Sequence, residues 1–296
     1  MAYDLGQKWD DRRVMRCPSC AHESRPGAKF CDACGAQLSH EYRLPLHIPT
    51  VVTLHLPIAW YPREIWSRYA GRVQFCCVSE SQRKSIPLQL RDVPVIENGV
   101  DIPPVFAPEN KGGDALVIGR ICPEKNAHAA LEAATLAHTR VLLIGQVFAY
   151  REHQTYFRDK VLPLLAAPRA GVQHQFLGPV HPGRCWELLS RAKCLLHPTL
   201  APETSSLVAM EALAVGTPVI AYRRGALPEI VEHGVTGYLV ESAEEMAGAI
   251  QHIDALSPAE CRRIADKRFG RERMVQRYLQ LYDIVLQRSR ARKMFA

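Results

Sequence analysis

From residue 115 onward, short apolar runs alternate with stretches of helical periodicity. ALVIG (115–119), RVLLIG (140–145), VQHQFLG (172–178), KCLLHPT (193–199) and TPVIAY (217–222) have strand length, and three of them end in Gly. Between them NAHAALEAATLA (126–137), YFRDKVLPLLA (156–166), the stretch around CWELLSRA (185–192) and SSLVAMEALAVG (205–216) repeat apolar residues three and four apart. Such alternation predicts parallel strands joined by crossover helices that cover both faces of one sheet. The fold class expected is α/β, a doubly wound, Rossmann-like domain over residues 112–270. Ligands of such sheets bind beyond the carboxyl ends of the strands, here after Gly119, Gly145, Gly178 and Pro198.

The flanking segments read differently. Residues 1–14 are polar and patternless, and residues 15–39 stand apart as a small module. Residues 41–107 hold two strand-like runs, TVVTLHL and VQFCCVS, followed by VPVIENGVD. The Pro- and Gly-bearing PENKGGD (108–114) is the expected linker. Residues 243–253 and 257–268 are expected to be helical. In 271–288, Met274, Val275, Tyr278, Tyr282 and Val285 are expected to share one helix face, with a basic tail to residue 296.

Composition narrows the class. Of 296 residues, 47% are hydrophobic and 23% charged, ordinary globular values that exclude a mainly disordered chain, collagen and a coiled coil. No apolar run approaches the ~20 residues that span a bilayer. MAYDLGQKWDDRRV has neither an apolar core nor a cleavage pattern, so the cytoplasm is the expected compartment. The net charge of +7 is uneven: from Cys261 onward there are 11 Lys and Arg against 3 Asp and Glu. The body is therefore close to neutral. A broad nucleic-acid surface is not expected, and a zinc-dependent nucleic-acid binder is the least favoured reading. Weak attraction of the basic tail to an anionic membrane surface is a minor alternative.

Ten cysteines need an account. Cys17, Cys20, Cys31 and Cys34 are spaced C-x2-C-x10-C-x2-C. Two such turns aim four thiolates at one ion, the closed tetrahedral set of structural zinc. A piece this short cannot build a core, so the metal would supply most of its folding free energy. It resembles zinc-ribbon modules, which tether and recognise, and a closed site leaves no position for catalysis. Cys76, Cys77, Cys122, Cys185, Cys194 and Cys261 are expected to be free thiols.

The richest chemistry lies in LLHPTLAPETSSLVAMEALAVGTPVIAY (195–222). A strand ends at Pro198, a loop carries Glu203, and a helix begins near Ser205. Its first N–H groups are unpaired and its dipole is positive there, which makes an anion site. The small Thr204, Ser205 and Ser206 let an anion reach the backbone. Glu211 is about two turns into the helix. Taken singly, each residue has a plain structural reading: a Glu near a helix start is stabilising anyway, and His197 and the other histidines are read as structural.

Taken together, these motifs resemble the retaining glycosyltransferases of the GT-B fold, the Glycos_transf_1 or glycosyltransferase family 4 group. Glu203 and Glu211 match its two Glu with seven residues between, and A-L-A-V-G-T-P-V-I-A follows. GRICPEK (119–125) matches its G-R-x-x-x-x-K element, VIENGVD (95–101) its interdomain segment, VTLHLP (52–57) a strand ending in His55, and VSESQRK (78–84) the strand after it. The resemblance implies that Arg120 and Lys125 hold the diphosphate of a nucleotide sugar. It implies that backbone N–H groups at Thr204, Ser205, Ser206 and Leu207 bind phosphate and sugar. Glu203 would bind sugar hydroxyls, Glu211 the ribose, and His55 would approach the sugar from the opposite domain. The reaction implied is hexose transfer to an unidentified acceptor hydroxyl with retention, without a catalytic metal.

The chain departs from that family in two places. Thr204-Ser205-Ser206 stands where Pro-Phe-Gly is usual. The 41–107 segment is short for an acceptor domain, a partial N-terminal GT-B domain whose sheet edge must be covered. The zinc ribbon, the C-terminal helix or a second chain would cover it, so a protein partner or self-association is expected there. The alternative function is a non-catalytic glycosyltransferase-derived module whose ribbon docks a partner.

Overall fold

The computed structural model describes residues 15–16, 23–24, 48–87, 90, 92–104, 111–166 and 168–294. The chain divides into two units. In the smaller one, β1 (Met15–Arg16) pairs antiparallel with β2 (Glu23–Ser24). Cys17 and Cys20 fall between them in sequence. All four expected zinc ligands lie outside the described residues.

The larger unit begins with β3 (Val51–Leu54), α1 (Glu64–Tyr69), β4 (Gln74–Cys77) and α2 (Glu80–Lys84). β3 and β4 pair in parallel as a two-stranded sheet. Parallel strands need cover on both faces. On one face Trp66 of α1 stands edge-on to Phe75, ring centroids 5.4 Å apart.

The main domain follows: β5 (Ala115–Ile118), α3 (Ala127–Leu136), β6 (Val141–Ile144), α4 (Arg151–Tyr156), α5 (Leu162–Leu165), β7 (Gln175–Gly178), α6 (Pro182–Arg191), β8 (Cys194–His197), α7 (Leu207–Ala214), β9 (Val219–Tyr222), α8 (Leu227–Ile230), β10 (Gly237–Val240), α9 (Ala243–His252), α10 (Pro258–Phe269) and α11 (Arg271–Met294). Its six strands are parallel in the order β10-β9-β8-β5-β6-β7. The expected doubly wound sheet is present, with β10 as an edge strand the sequence reading did not include.

Two cores flank this sheet, and the strands feed them by strict alternation. Ala115, Val117, Cys194, Leu196 and Ile220 join Leu131 of α3 and Ile250 of α9 on one face. Leu116, Leu195, Val219 and Ala221 join Leu213 of α7 and Phe269 of α10 on the other. Every residue of β8 and β9 is buried, which explains why these strands read as unbroken apolar runs. The Gly that ends the 140–145 run has its own cause: a Cβ on Gly145 would lie 1.8 Å from the Gly119 carbonyl oxygen. The six cysteines expected as free thiols are free, and all but the half-buried Cys185 are buried.

Two chain crossings join the main domain to the β3–β4 layer, and they hydrogen-bond to each other. Val100 N–H donates to Phe269 O (2.8 Å) and Arg271 N–H to Val100 O (3.0 Å). From there α11 runs back over the second face of β3–β4. Leu281 packs with Cys76 and Ile96, and Met274, Tyr278, Val285 and Val51 close around them. The Tyr278 and Thr53 hydroxyls are 3.1 Å apart. The C-terminal helix thus covers this sheet. One expectation about it is corrected: Val275 and Tyr282 are 43% and 46% exposed. The buried stripe is 274, 278, 281 and 285; residues one step further on sit about 100° around the helix and face away. Among the described residues no helix is long and apolar enough to cross a membrane.

The packing of α11 gives a direct test. Leu281→Ala leaves a cavity at the β3–β4 face and should lower the unfolding free energy by about 2–4 kcal/mol in urea. Leu279→Ala, at a half-exposed position on the same helix, should cost less than about 1 kcal/mol.

Candidate active site

The strand order itself selects the site. The chain fills the sheet from β5 outward through β6 to β7, then returns to the other side of β5 with β8. The loops that leave β5 and β8 therefore diverge, and a crevice opens between them at the carboxyl end of the sheet.

The first wall is residues 119–126. After β5, a single turn over Pro123–Lys125 leads to Asn126, which takes a left-handed conformation (φ 56°) before α3. The turn is tied to the second wall: Leu200 N–H donates to Glu124 O at 2.8 Å, and Thr199 Oγ1 to the same oxygen at 3.2 Å. Lys125 Nζ forms an ion pair with Glu203 Oε1 across the crevice. Arg120 is exposed and makes no ion pair or hydrogen bond through its guanidinium among the described residues.

The second wall starts at His197, the last residue of β8. His197 is buried, and its Nε2 lies 3.3 Å from Ser206 Oγ and 3.7 Å from Glu203 Oε1. Burial pushes its pKa down to about 4, against the pull of Glu203. It is therefore a neutral imidazole at pH 7 and supplies hydrogen bonding, not charge. Glu203 is also held by its backbone, because Ala226 N–H donates to Glu203 O at 2.7 Å. Gly225 (φ +55°) passes so close that a Cβ there would lie 2.2 Å from that carbonyl oxygen. Only Gly fits the turn that braces Glu203.

The start of α7 completes the crevice. Ser206 caps the helix, its Oγ accepting from Ala209 N–H at 3.4 Å. The first N–H groups of the helix have no acceptor within it. Ser205 Oγ is buried and has no hydrogen-bond partner among the described residues, a costly state for a hydroxyl that a ligand atom would relieve. Leu207 is 49% exposed at the helix start. Glu211 is half-buried with no cation paired to it among the described residues. Burial first, and the charge of Asp101 second, hold its pKa above the usual carboxylate value.

His55 arrives from the other layer. Thr204 Oγ1 donates to His55 O at 2.8 Å. The Tyr61 hydroxyl accepts from His55 N–H (3.0 Å) and Leu56 N–H (3.1 Å), which fixes the turn after β3. The His55 side chain is exposed. A second bond crosses between the layers nearby: Glu229 of α8 accepts Glu80 N–H (2.9 Å) and Ser81 N–H (2.6 Å) at the start of α2.

The structure thus brings Lys125, Glu203, Thr204 and the His55 backbone together, and sets Ser205, Ser206 and Leu207 at the head of α7. Arg120 and Glu211 make no direct bond to that group. His197, expected to be structural, is buried and hydrogen-bonded at the end of β8, and the brace at Gly225–Ala226 is a feature that the sequence pattern does not announce.

Comparison with known proteins places the chain in a family and a fold. Residues 101–268 match the family model of Glycosyl transferases group 1. The lipopolysaccharide 1,2-N-acetylglucosaminetransferase of Salmonella typhimurium is 29% identical over 168 residues, 53% of this chain and 44% of that protein. The N-acetyl-alpha-D-glucosaminyl L-malate synthase of Bacillus anthracis is 37% identical over 92 residues, 28% of this chain and 24% of that protein. The chain thus spans less than half the length of these relatives. Among solved structures, Anabaena HepE in complex with UDP-glucose superposes with a TM-score of 0.66 at 21% identity, over 80% of this chain and 72% of that one. That likeness shows a shared fold, the two-layer α/β architecture of GT-B glycosyltransferases. The chain belongs to the family Glycosyl transferases group 1.

Glu211 yields a test that needs no substrate. Its folded pKa lies above the unfolded value near 4.5, so the folded state binds more protons there, and stability falls as pH rises through that window. Glu211→Gln should therefore unfold at a higher temperature than the parent at pH 7. The gap should close below about pH 4.5, where both states hold the proton. A Gln variant less stable than the parent at pH 7 would show that the Glu211 charge is compensated.

Proposed function

We propose that this family member transfers a hexose from a nucleotide-diphosphate sugar to an acceptor hydroxyl with retention of anomeric configuration. The observation that carries the reading is the Lys125–Glu203 ion pair spanning the β5–β8 crevice at the head of α7.

A diphosphate entering the crevice meets Lys125, the exposed Arg120 and the first N–H groups of α7. These stabilise the charge that grows on the leaving oxygen. As phosphate takes Lys125, Glu203 is freed to accept hydroxyls of the sugar. Glu211 accepts the ribose hydroxyls, and the exposed His55 approaches the sugar from the β3 side. The bond from C1 to the diphosphate oxygen breaks with oxocarbenium character. The bond from C1 to the acceptor oxygen forms on the same face, and the acceptor proton leaves with the departing phosphate. Lys125, Arg120 and the helix N–H groups provide the positive charge, so the donor site needs no metal.

Uridine diphosphate is the proposed carrier, with glucose or N-acetylglucosamine as the sugar. The relatives named as N-acetylglucosamine enzymes and the UDP-glucose complex of HepE support this. The acceptor is proposed to dock on the β3–β4 side, completed by a protein partner or a second copy. Cys17, Cys20, Cys31 and Cys34 are proposed to hold a structural zinc. The β1–β2 pairing, which registers Met15 with Ser24 and Arg16 with Glu23 around the first C-x-x-C, supports that reading. The cytoplasm is the proposed compartment.

Release of UDP from UDP-glucose and UDP-N-acetylglucosamine tests the reading. Arg120→Ala and Lys125→Ala should each lower kcat/KM by roughly 10²–10³-fold, and Arg120→Ala, at an exposed side chain, should leave the unfolding temperature near that of the parent. Turnover unchanged in both variants would overturn the proposed roles.

A further inference from the structure

We propose that Cys122, Glu124 and His153 form a site for a divalent transition metal of borderline softness, such as Zn2+, separate from the N-terminal cysteine quartet. The ligand atoms of these three side chains all lie within 4.8 Å of one another. Cys122 and His153 are buried, and Glu124 is exposed. The set is therefore closed on the protein side and open toward solvent, where an ion can enter and a water can complete its coordination.

The backbone holds two of the ligands in place. Cys122 precedes the single turn over Pro123–Lys125, and its carbonyl accepts Lys125 N–H (3.1 Å) and Asn126 N–H (3.3 Å). Glu124 O takes the two bonds from Leu200 and Thr199 described above. The third ligand comes from α4, beyond β6. Phe148 stands edge-on to the His153 ring, centroids 6.3 Å apart, which restricts its orientation. Such restraint is what a metal site needs from its surroundings.

The donor chemistry selects the ion. One sulfur, one imidazole nitrogen and one carboxylate oxygen suit zinc or cobalt. Magnesium and calcium take oxygen ligands throughout. Three protein ligands with a fourth position open differ from the closed four-sulfur set expected at Cys17–Cys34. Binding replaces the thiol proton, which leaves to solvent, with a bond from sulfur to the metal. The result is a neutral unit of a dication, a thiolate and a carboxylate. It would pin the turn that carries Lys125 to α4, so the site acts as a staple beneath the donor crevice.

The test is metal binding by the full chain, independent of any transfer activity. Chelator-treated protein is titrated with Zn2+ and with Co2+, and bound metal is counted after equilibrium dialysis. The parent should bind one equivalent more than Cys122→Ser or His153→Gln. The cobalt form should show thiolate-to-cobalt absorption that Cys122→Ser lacks in the difference spectrum. Glu124→Gln, changed at an exposed side chain, should weaken that last equivalent by about tenfold or more. Mg2+ in excess should not displace it. The quartet is unaltered in all three variants, so its own metal cancels in each difference. Equal stoichiometry and affinity in the parent and every variant would overturn the proposal. If the buried variants fail to fold, unchanged affinity in Glu124→Gln does so alone.

Discussion

The reversal of strand order between β5 and β8 is the constraint from which the rest of this structure follows. A doubly wound sheet must send the loops after its two central strands in opposite directions, and they part over a crevice. Here each loop carries one charge of the Lys125–Glu203 pair. The pair joins two stretches that are distant in sequence. The Glu124 carbonyl, the Gly225 turn and the Ser206 cap hold the surrounding backbone so that those two charges meet.

The same region carries costs that a folding-only account would not retain. Among the described residues, a buried Ser205 hydroxyl lacks a partner and a half-buried Glu211 lacks a cation. Several other polar groups are matched: Ser79, Ser242 and Ser257 cap their helices, and Lys111 Nζ donates to Ser190 O, Val215 O and Thr217 Oγ1. Unmatched groups gathered at one crevice are where local consistency gives way to function. The proposed donor supplies what they lack, hydroxyls for the carboxylates and phosphate oxygens for the hydroxyl and N–H groups.

Much of this was legible in the sequence, for identifiable reasons. The apolar runs at 115–119, 140–145, 193–199 and 217–222 announced buried parallel strands because both their faces meet a core. Glu203 stood out because it lies between the end of a strand and the start of a helix, where such folds bind ligands, and Lys125 because GRICPEK resembles the family's G-R-x-x-x-x-K element. His197, beside Leu195 and Leu196, reads as core, and it is buried at the end of β8. β10 was missed because GYLV follows a turn without the spacing of its neighbours. Along α11 the error had a geometric cause: apolar residues one position apart look equivalent in a list, yet only the stripe through Leu281 reaches Cys76 and Ile96. The link between Thr204 and His55 joins residues 149 positions apart, a relation that periodicity cannot express.

Hydrogen exchange of backbone amides, with and without saturating UDP, reports where on this chain a nucleotide binds. Binding in the β5–β8 crevice should slow exchange in two separate segments, residues 119–126 and 203–211, and Lys125→Ala should weaken the effect in both. Protection confined to other segments, or none with UDP, GDP or ADP, would contradict it.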